Sequence, residues 1–258
     1  MRAIWKNFWN YRFLVKELVK KGIRLKYRRS YLGVLWSMLE PLLNAIVMAV
    51  VFGTLYGRTD KSFIVYVLSG RLIYTCFSTG TKGALKSING NAAMIKKVYV
   101  PKYIFPLSSV LFNYVIFLIS LAVLVIVSLA RGVFPTVYVF GTVVPLVIVF
   151  FMTLGVGLIL STVAVFFRDM EYIWSVGLTL LMYCCAIFYE PTRLLNTKYA
   201  FIIKYNPVYA VICNFRHCVY GEPMERFYLV YSACFSLVVM LIGLILFRKK
   251  QDQFILHI

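Results

Sequence analysis

The sequence predicts an all-α integral membrane protein: six transmembrane helices per chain, an N-terminal amphipathic interface helix, and short re-entrant helices between spans 5 and 6. Three observations predict it. The 258-residue chain is 62% hydrophobic and only 14% charged, which leaves too little polar surface for a water-soluble globule and makes the bilayer the solvent. Its apolar runs reach the ~20 residues a helix needs to cross hydrocarbon. Its Lys and Arg alternate between heavily and lightly loaded connecting segments, as the positive-inside rule requires.

Residues 1–30 read as a cytoplasmic lead and 31–258 as the transmembrane domain. In the lead, Trp5, Phe8, Trp9, Phe13 and Leu14 interleave with Lys6, Arg12, Lys16, Lys20 and Lys21. That pattern lays a helix over 4–23 in the interface plane, aromatics down and cations toward headgroups. The basic part runs from Arg2 to Arg29 and the first apolar run is long enough to span, unlike a cleavable signal. The spans fall at about 33–55, 62–81, 103–130, 136–167, 172–190 and 228–247. The third and fourth are longer than needed and can tilt. The fourth carries Gly141, Pro145, Gly155 and Gly157, which in lipid favour close helix approach and kinks. Between spans 5 and 6, the apolar runs 199–203 and 208–215 are too short to cross, and Pro191, Pro207 and Pro223 punctuate them. Re-entrant helices at depth are tolerated only against protein or a water-filled cavity.

Nineteen Lys and Arg fall on the side that holds both ends of the chain and eight on the other, which places both termini in the cytoplasm. The net charge of +19 is accounted for by anionic headgroups and this rule rather than by nucleic acid. A polyanionic or lipid-phosphate substrate is also compatible with it. Six cysteines form no CxxC pair; only Cys213 and Cys218 sit in a connecting segment, and they pair only on an oxidising side.

Catalytic equipment is missing from the sequence. There is no GxxxxGK[ST] loop for a nucleotide, neither His217 nor His257 has metal-ligand spacing, and no Ser–His–Asp set is apparent. Asp169 and Glu171 stand two apart, poor spacing for one helical face.

Four stretches together resemble the permease subunits of ABC-2 type polysaccharide exporters, which move O-antigen, capsule or teichoic acid chains. They are residues 26–43 (KYRRSYLGVLWSMLEPLL), residues 91–102 (NAAMIKKVYVPK) with Phe105-Pro106, Phe167-Arg168-Asp169, and Tyr189-Glu190-Pro191 with Tyr205-Asn206-Pro207 and Phe215-Arg216. Arg71 departs from the pattern, charged where that family looks apolar or small. The resemblance implies a homodimeric channel in the cytoplasmic membrane of a bacterium and a separate cytoplasmic ABC ATPase dimer carrying ATP and Mg. It also implies a lipid-linked glycan as cargo and no cofactor on this chain. It implies ATPase-coupling contacts at Ile88, Asn91, Lys96, Lys97 and Tyr99, and a second contact at Arg168 and Asp169.

Beside the resemblance, the residues carry their own expectations. Arg24, Lys26, Arg28 and Arg29 sit at headgroup level, where they anchor the chain or bind the pyrophosphate of a lipid carrier by charge-assisted hydrogen bonds. Glu40 and Arg71 lie at membrane depth, where a charge needs a partner or water; a 1.5 Å rise puts them within about one turn of the same level. They are expected to pair or to face a wet channel. Tyr31, Trp36, Tyr74, Phe77, Tyr172 and Trp174 are candidate channel aromatics on which sugar rings would slide. An ABC-2 permease for a small lipophilic molecule is the alternative; a membrane-embedded transferase would carry a catalytic constellation that the sequence lacks.

Overall fold

The computed structural model describes residues 2–28, 30–55, 62–98, 100–192 and 197–257, and side chains from residue 11 onward except at 55, 256 and 257. Arg29, Tyr99 and the aromatic side chains of Trp5, Phe8 and Trp9 lie outside the described residues.

The first helix, α1 (Arg2–Tyr27), is continuous over 26 residues, longer than the 4–23 expected. It lies along α5 (Ile104–Ala130) with Val15 buried, while Lys16, Lys20, Lys21 and Arg24 stay exposed. The chain then turns. Gly33 has φ +49° and its N–H donates to Ser30 Oγ at 3.1 Å; a side chain there would meet left-handed strain, so the glycine of the Leu32-Gly33 pair is a geometric requirement. A 3-10 turn (Gly33–Leu35) leads into α2 (Trp36–Leu55), which contains Pro41. Proline has no N–H for the carbonyl four residues back, that of Ser37. The Ser120 hydroxyl of α5 donates to that carbonyl instead, at 2.7 Å.

The next helix, α3 (Phe63–Gly90), continues nine residues past the predicted end because it stays amphipathic there: Ala84, Leu85 and Ile88 are buried while Lys82 and Lys86 are exposed. After it come α4 (Ala92–Lys97), α5, a 3-10 segment (Val137–Thr142), α6 (Val143–Phe166) and α7 (Met170–Cys184). Two short helices, α8 (Ala200–Lys204) and α9 (Pro207–Tyr220), fill the predicted re-entrant region. The chain closes with α10 (Arg226–Lys250), a 3-10 turn (Gln251–Gln253) and α11 (Phe254–His257).

Among the described residues, five helices are long and apolar enough to cross a membrane: Gly33–Thr54, Phe63–Gly90, Ile104–Ala130, Val137–Phe166 and Arg226–Gln253. The predicted fifth span, 172–190, is α7, which has 15 residues and stops at Cys184, ~22 Å of helix. Beyond it the chain is irregular, and Ala186 adopts φ +45°.

Successive spans reverse direction, so the chain's two ends share one end of the bundle, the near end, with α4 and the α6–α7 turn. Residues 62–66 and α9 mark the far end. Helix α3 is central and packs on α2, α5, α6, α7 and α9. Helices α6 and α10 touch backbone to backbone: a Cβ on Gly155 would lie 2.7 Å from the Met240 nitrogen, and one on Gly243 would lie 2.6 Å from the Gly155 carbonyl oxygen. Small residues permit this approach, which lipid favours. At the near end the tail folds back. Phe254 is fully buried against Phe166 and Phe247, and Lys102 donates to the Gln251 carbonyl. Burial lowers the Lys102 pKa, and the Asp252 carboxylate opposes this.

Candidate functional site

Polar residues recur one helical turn apart inside the apolar spans, and the fold brings three such stripes together. Helix α2 contributes Ser37, Glu40 and Asn44, α3 contributes Arg71, Thr75 and Thr79, and α5 contributes Asn113 and Ser120. Spacings of three, four and seven put each set on one helix face. Together they line a cleft of about 160 Å³, with Lys26 of α1 at its near end. Some neighbours bond locally: Asn44 Nδ2 donates to the Glu40 carbonyl at 2.9 Å, and Thr79 Oγ1 to the Thr75 carbonyl at 2.8 Å. Ionisable groups at this depth mark functional sites because they are costly unless paired or wet. Just outside the spans, burial pushes the Tyr27 phenol above its ordinary range, and the Glu40 charge adds to the rise.

Glu40 and Arg71 share this cleft. Among the described residues, no ion pair within 4.0 Å joins them; Lys86 and Glu171 form one elsewhere, across α3 and α7. The Arg71 Nη1 points across to Met182 Sδ of α7 at 2.9 Å. The two charges line one cleft without forming the direct pair.

A second feature is the seam between α3 and α7. Lys86 pairs with Glu171 at its near end, Trp174 Nε1 donates to Thr81 Oγ1 at 3.1 Å, and the Tyr74 hydroxyl donates to the Leu178 carbonyl. Phe77 and Trp174 meet edge to face, 6.3 Å between centroids. The channel aromatics therefore divide. Tyr74 and Phe77 are 6% and 3% exposed and pack in the seam, and Trp174 is half-buried beside them; these three hold helices together rather than face open space. Tyr31, Trp36 and Tyr172 are exposed.

The expected coupling residues divide as well. Ile88 is fully buried, so it supports the near end and cannot itself touch a partner. Asn91 is half-buried and its side chain donates to the Ser87 carbonyl at 2.8 Å. Helix α4 is pinned by buried Ile95, which presents Lys96 and Lys97 outward; Arg168 and Asp169 are exposed in the α6–α7 turn. Of the basic lead, Arg24, Lys26 and Arg28 are exposed at the near end.

Two features escaped sequence reasoning. One is the polar face of α3 and α5, legible as Arg71, Thr75, Thr79 and Asn113, Ser120 at helical intervals in apolar runs. The other is the role of Arg216, which the sequence offered only within the resembling Phe215-Arg216 pair: it is a buried guanidinium at the far end. It donates to the Ala186 carbonyl at 3.0 Å, Tyr66 at 3.1 Å and Ile187 at 3.3 Å, and lies 3.5 Å from the Tyr66 ring centroid. A Cβ on Gly70 would meet its Nη2 at 2.4 Å, so glycine makes the room. The signal was an arginine ending the short apolar run 208–215.

The cysteines are all free. Among the described residues, no group of three or more His, Cys, Asp or Glu is placed to hold a metal ion.

Known proteins with this sequence pattern are membrane transporters. The chain is 29% identical over 244 residues to an O-antigen export system permease protein RfbA of Klebsiella pneumoniae, covering 93% of each chain. It is 26% identical over 251 residues to the protein of the same name from Myxococcus xanthus, covering 96% of each. It is 26% identical over 242 residues to the polysialic acid transport protein KpsM of Escherichia coli, covering 92% of this chain and 93% of that one. The ABC-2 type transporter family profile matches residues 14–220, which include the cleft, the α3–α7 seam and Arg216; the chain belongs to that family, as a multi-pass membrane permease subunit rather than an enzyme.

Proposed function

We propose that two copies of this chain form the channel of an ATP-driven exporter that moves a lipid-linked polysaccharide of the O-antigen, capsule or teichoic acid class across the cytoplasmic membrane of a bacterium. The observation that carries this reading is end-to-end likeness to permeases named for O-antigen export and polysialic acid transport. The cleft supports it: hydroxyls, amides and two charges, Glu40 and Arg71, at span depth, with Lys26 at the near end, suit a hydrated polar chain rather than a lipid tail.

A second copy is supported by the outer face of α2. Trp36, Glu40, Leu43, Val47 and Val50 are exposed along one stripe. A carboxylate facing hydrocarbon is costly, and a partner copy with water between the two stripes removes that cost. With both termini cytoplasmic, α4 and the Arg168–Asp169 turn face the ATPase dimer, which supplies ATP and Mg chemistry. Closure of the ATPases moves those two contacts. The α3–α7 seam carries the movement toward Ala186, a strained residue whose carbonyl Arg216 holds, and the channel shifts from closed to open populations. At the near end, Arg24, Lys26 and Arg28 receive the pyrophosphate of the lipid carrier.

The alternative cargo, a small lipophilic molecule, is favoured by one feature, an apolar pocket of about 130 Å³ between α5, α6 and α9. Deleting the gene in its host separates the two. Loss of surface glycan with accumulation of lipid-linked glycan inside supports the polysaccharide reading. Unchanged surface glycan with new sensitivity to lipophilic drugs overturns it.

A further inference from the structure

We propose that the far-end pocket beside Arg216 is a sugar-binding subsite, which holds one neutral or amino pyranose of the chain as it leaves. The proposal rests on the export reading, because the far end is then the exit side. The pocket measures about 370 Å³, larger than the polar cleft, and lies within the ~300–1,000 Å³ range of ligand pockets. Its walls come from the start of α3, the segment after α7, and α9.

The walls are pre-set. The Tyr66 hydroxyl donates to the Tyr189 carbonyl at 3.0 Å and the Tyr220 hydroxyl to the Ser62 carbonyl at 3.1 Å, so both rings are held by their polar ends. Helix α9 is fixed at its start by the Asn206 side chain, which accepts from the Val208 and Tyr209 N–H groups at 3.0 and 3.3 Å. It is fixed at its end by Gly221, whose φ of +80° closes the helix with Glu222 N–H donating to the His217 carbonyl at 2.8 Å. Arg216 is 5% exposed and directs Nη1 and Nη2 to backbone carbonyls, so it serves as a floor.

The rim decides the ligand. Glu190 and Glu222 both line the pocket and both are exposed. His217 joins them, its Nδ1 3.1 Å from the Pro223 carbonyl and its Nε2 3.9 Å from the Glu222 carboxylate. Two carboxylates repel phosphate and other anions, which argues against a lipid headgroup. They accept strongly from hydroxyls and ammonium groups, the donors a neutral or amino sugar offers. The Arg216 guanidinium covers a face of the Tyr66 ring; the half-buried Tyr220 ring in the lining is the aromatic wall left for the C–H face of a pyranose. This pocket holds a single residue of the chain, in each protomer, at the exit.

The test uses the full chain in nanodiscs and saturation-transfer difference NMR with the methyl glycosides of glucose, galactose, mannose, glucosamine and N-acetylglucosamine. The expected result is transfer to at least one glycoside, weakened about tenfold in affinity by Glu222→Gln and by Glu190→Gln, each a lost charge-assisted bond. Lys249→Gln, at the other end of the bundle, leaves the signal unchanged. Circular dichroism and size-exclusion profiles identical to wild type establish that the variants fold. No transfer to any glycoside in the wild type, or transfer equal in wild type and both Glu variants, overturns the pocket. If deletion of the gene still abolishes surface glycan, that result removes the subsite and leaves the export reading standing; if surface glycan is also unchanged on deletion, the export reading fails with it.

Discussion

Ser120 makes the bond that Pro41 cannot. The proline leaves the Ser37 carbonyl without its helical donor, and a hydroxyl from α5 takes the place at 2.7 Å. Ser120→Ala orphans that carbonyl, which sits on a buried residue, and is expected to destabilise the chain by ~1–3 kcal/mol, read as a lower unfolding temperature in detergent. An unchanged temperature means that the cleft hydrates the carbonyl. The proline was legible in the sequence, but its remedy was not, because the donor lies 83 residues away on a helix whose placement only packing decides. Glu40 and Arg71 teach the complement. Their depth was legible from helix rise alone; whether they touch was not, since that depends on helix rotation. With no ion pair between them, Glu40→Ala and Arg71→Ala are expected to lower folded stability independently, and the double substitution to match the sum within ~0.5 kcal/mol. A double variant more stable than either single would restore the direct pair.

Among the elements, the long apolar helices were legible because hydrocarbon sets their length. The overhang of α3 was present in the pattern too, with Ala84, Leu85 and Ile88 on one face and Lys82 and Lys86 on the other. The end of α7 was hidden. The residues after Cys184 are as apolar as those before it, and the helix stops where the Ala186 and Ile187 carbonyls turn to Arg216, about thirty positions on. The contact of α6 with α10 carries a sharper expectation. Gly155→Ala and Gly243→Ala drive a methyl into facing backbone and should each lower folded stability by ~1–3 kcal/mol. Gly177→Ala in α7 meets nothing within 4 Å and should raise it by roughly 0.5–1 kcal/mol. Thermal unfolding of the three variants in one detergent makes the comparison, and equal effects at all three would dissolve the close approach. At the near end, α4 presents Lys96 and Lys97 on a base held by Ile95 and Ile88. Lys96→Glu with Lys97→Glu should abolish co-purification of the ATPase while the chain keeps its elution volume.

For the whole molecule, one sequence serves two surroundings. Its exposed apolar faces suit lipid, while the cleft holding Glu40 and Arg71 suits water and a polar chain. That division was visible as polar residues at helical intervals inside apolar runs, but assembling the stripes into one cleft took the tertiary fold. The far-end pocket was the least legible part, because its walls come from residues 62–66, 190–192 and 209–222, which no local pattern connects. The most direct test of the account is ATP hydrolysis by the complex of this chain with a co-purified ABC ATPase in nanodiscs, with and without lipid-linked glycan from the same host. The account predicts stimulation by the glycan-lipid, none by lipophilic drugs, and loss of that stimulation in Lys26→Ala with Arg28→Ala. Stimulation by drugs alone, or a chain that recovers no ATPase, would contradict it.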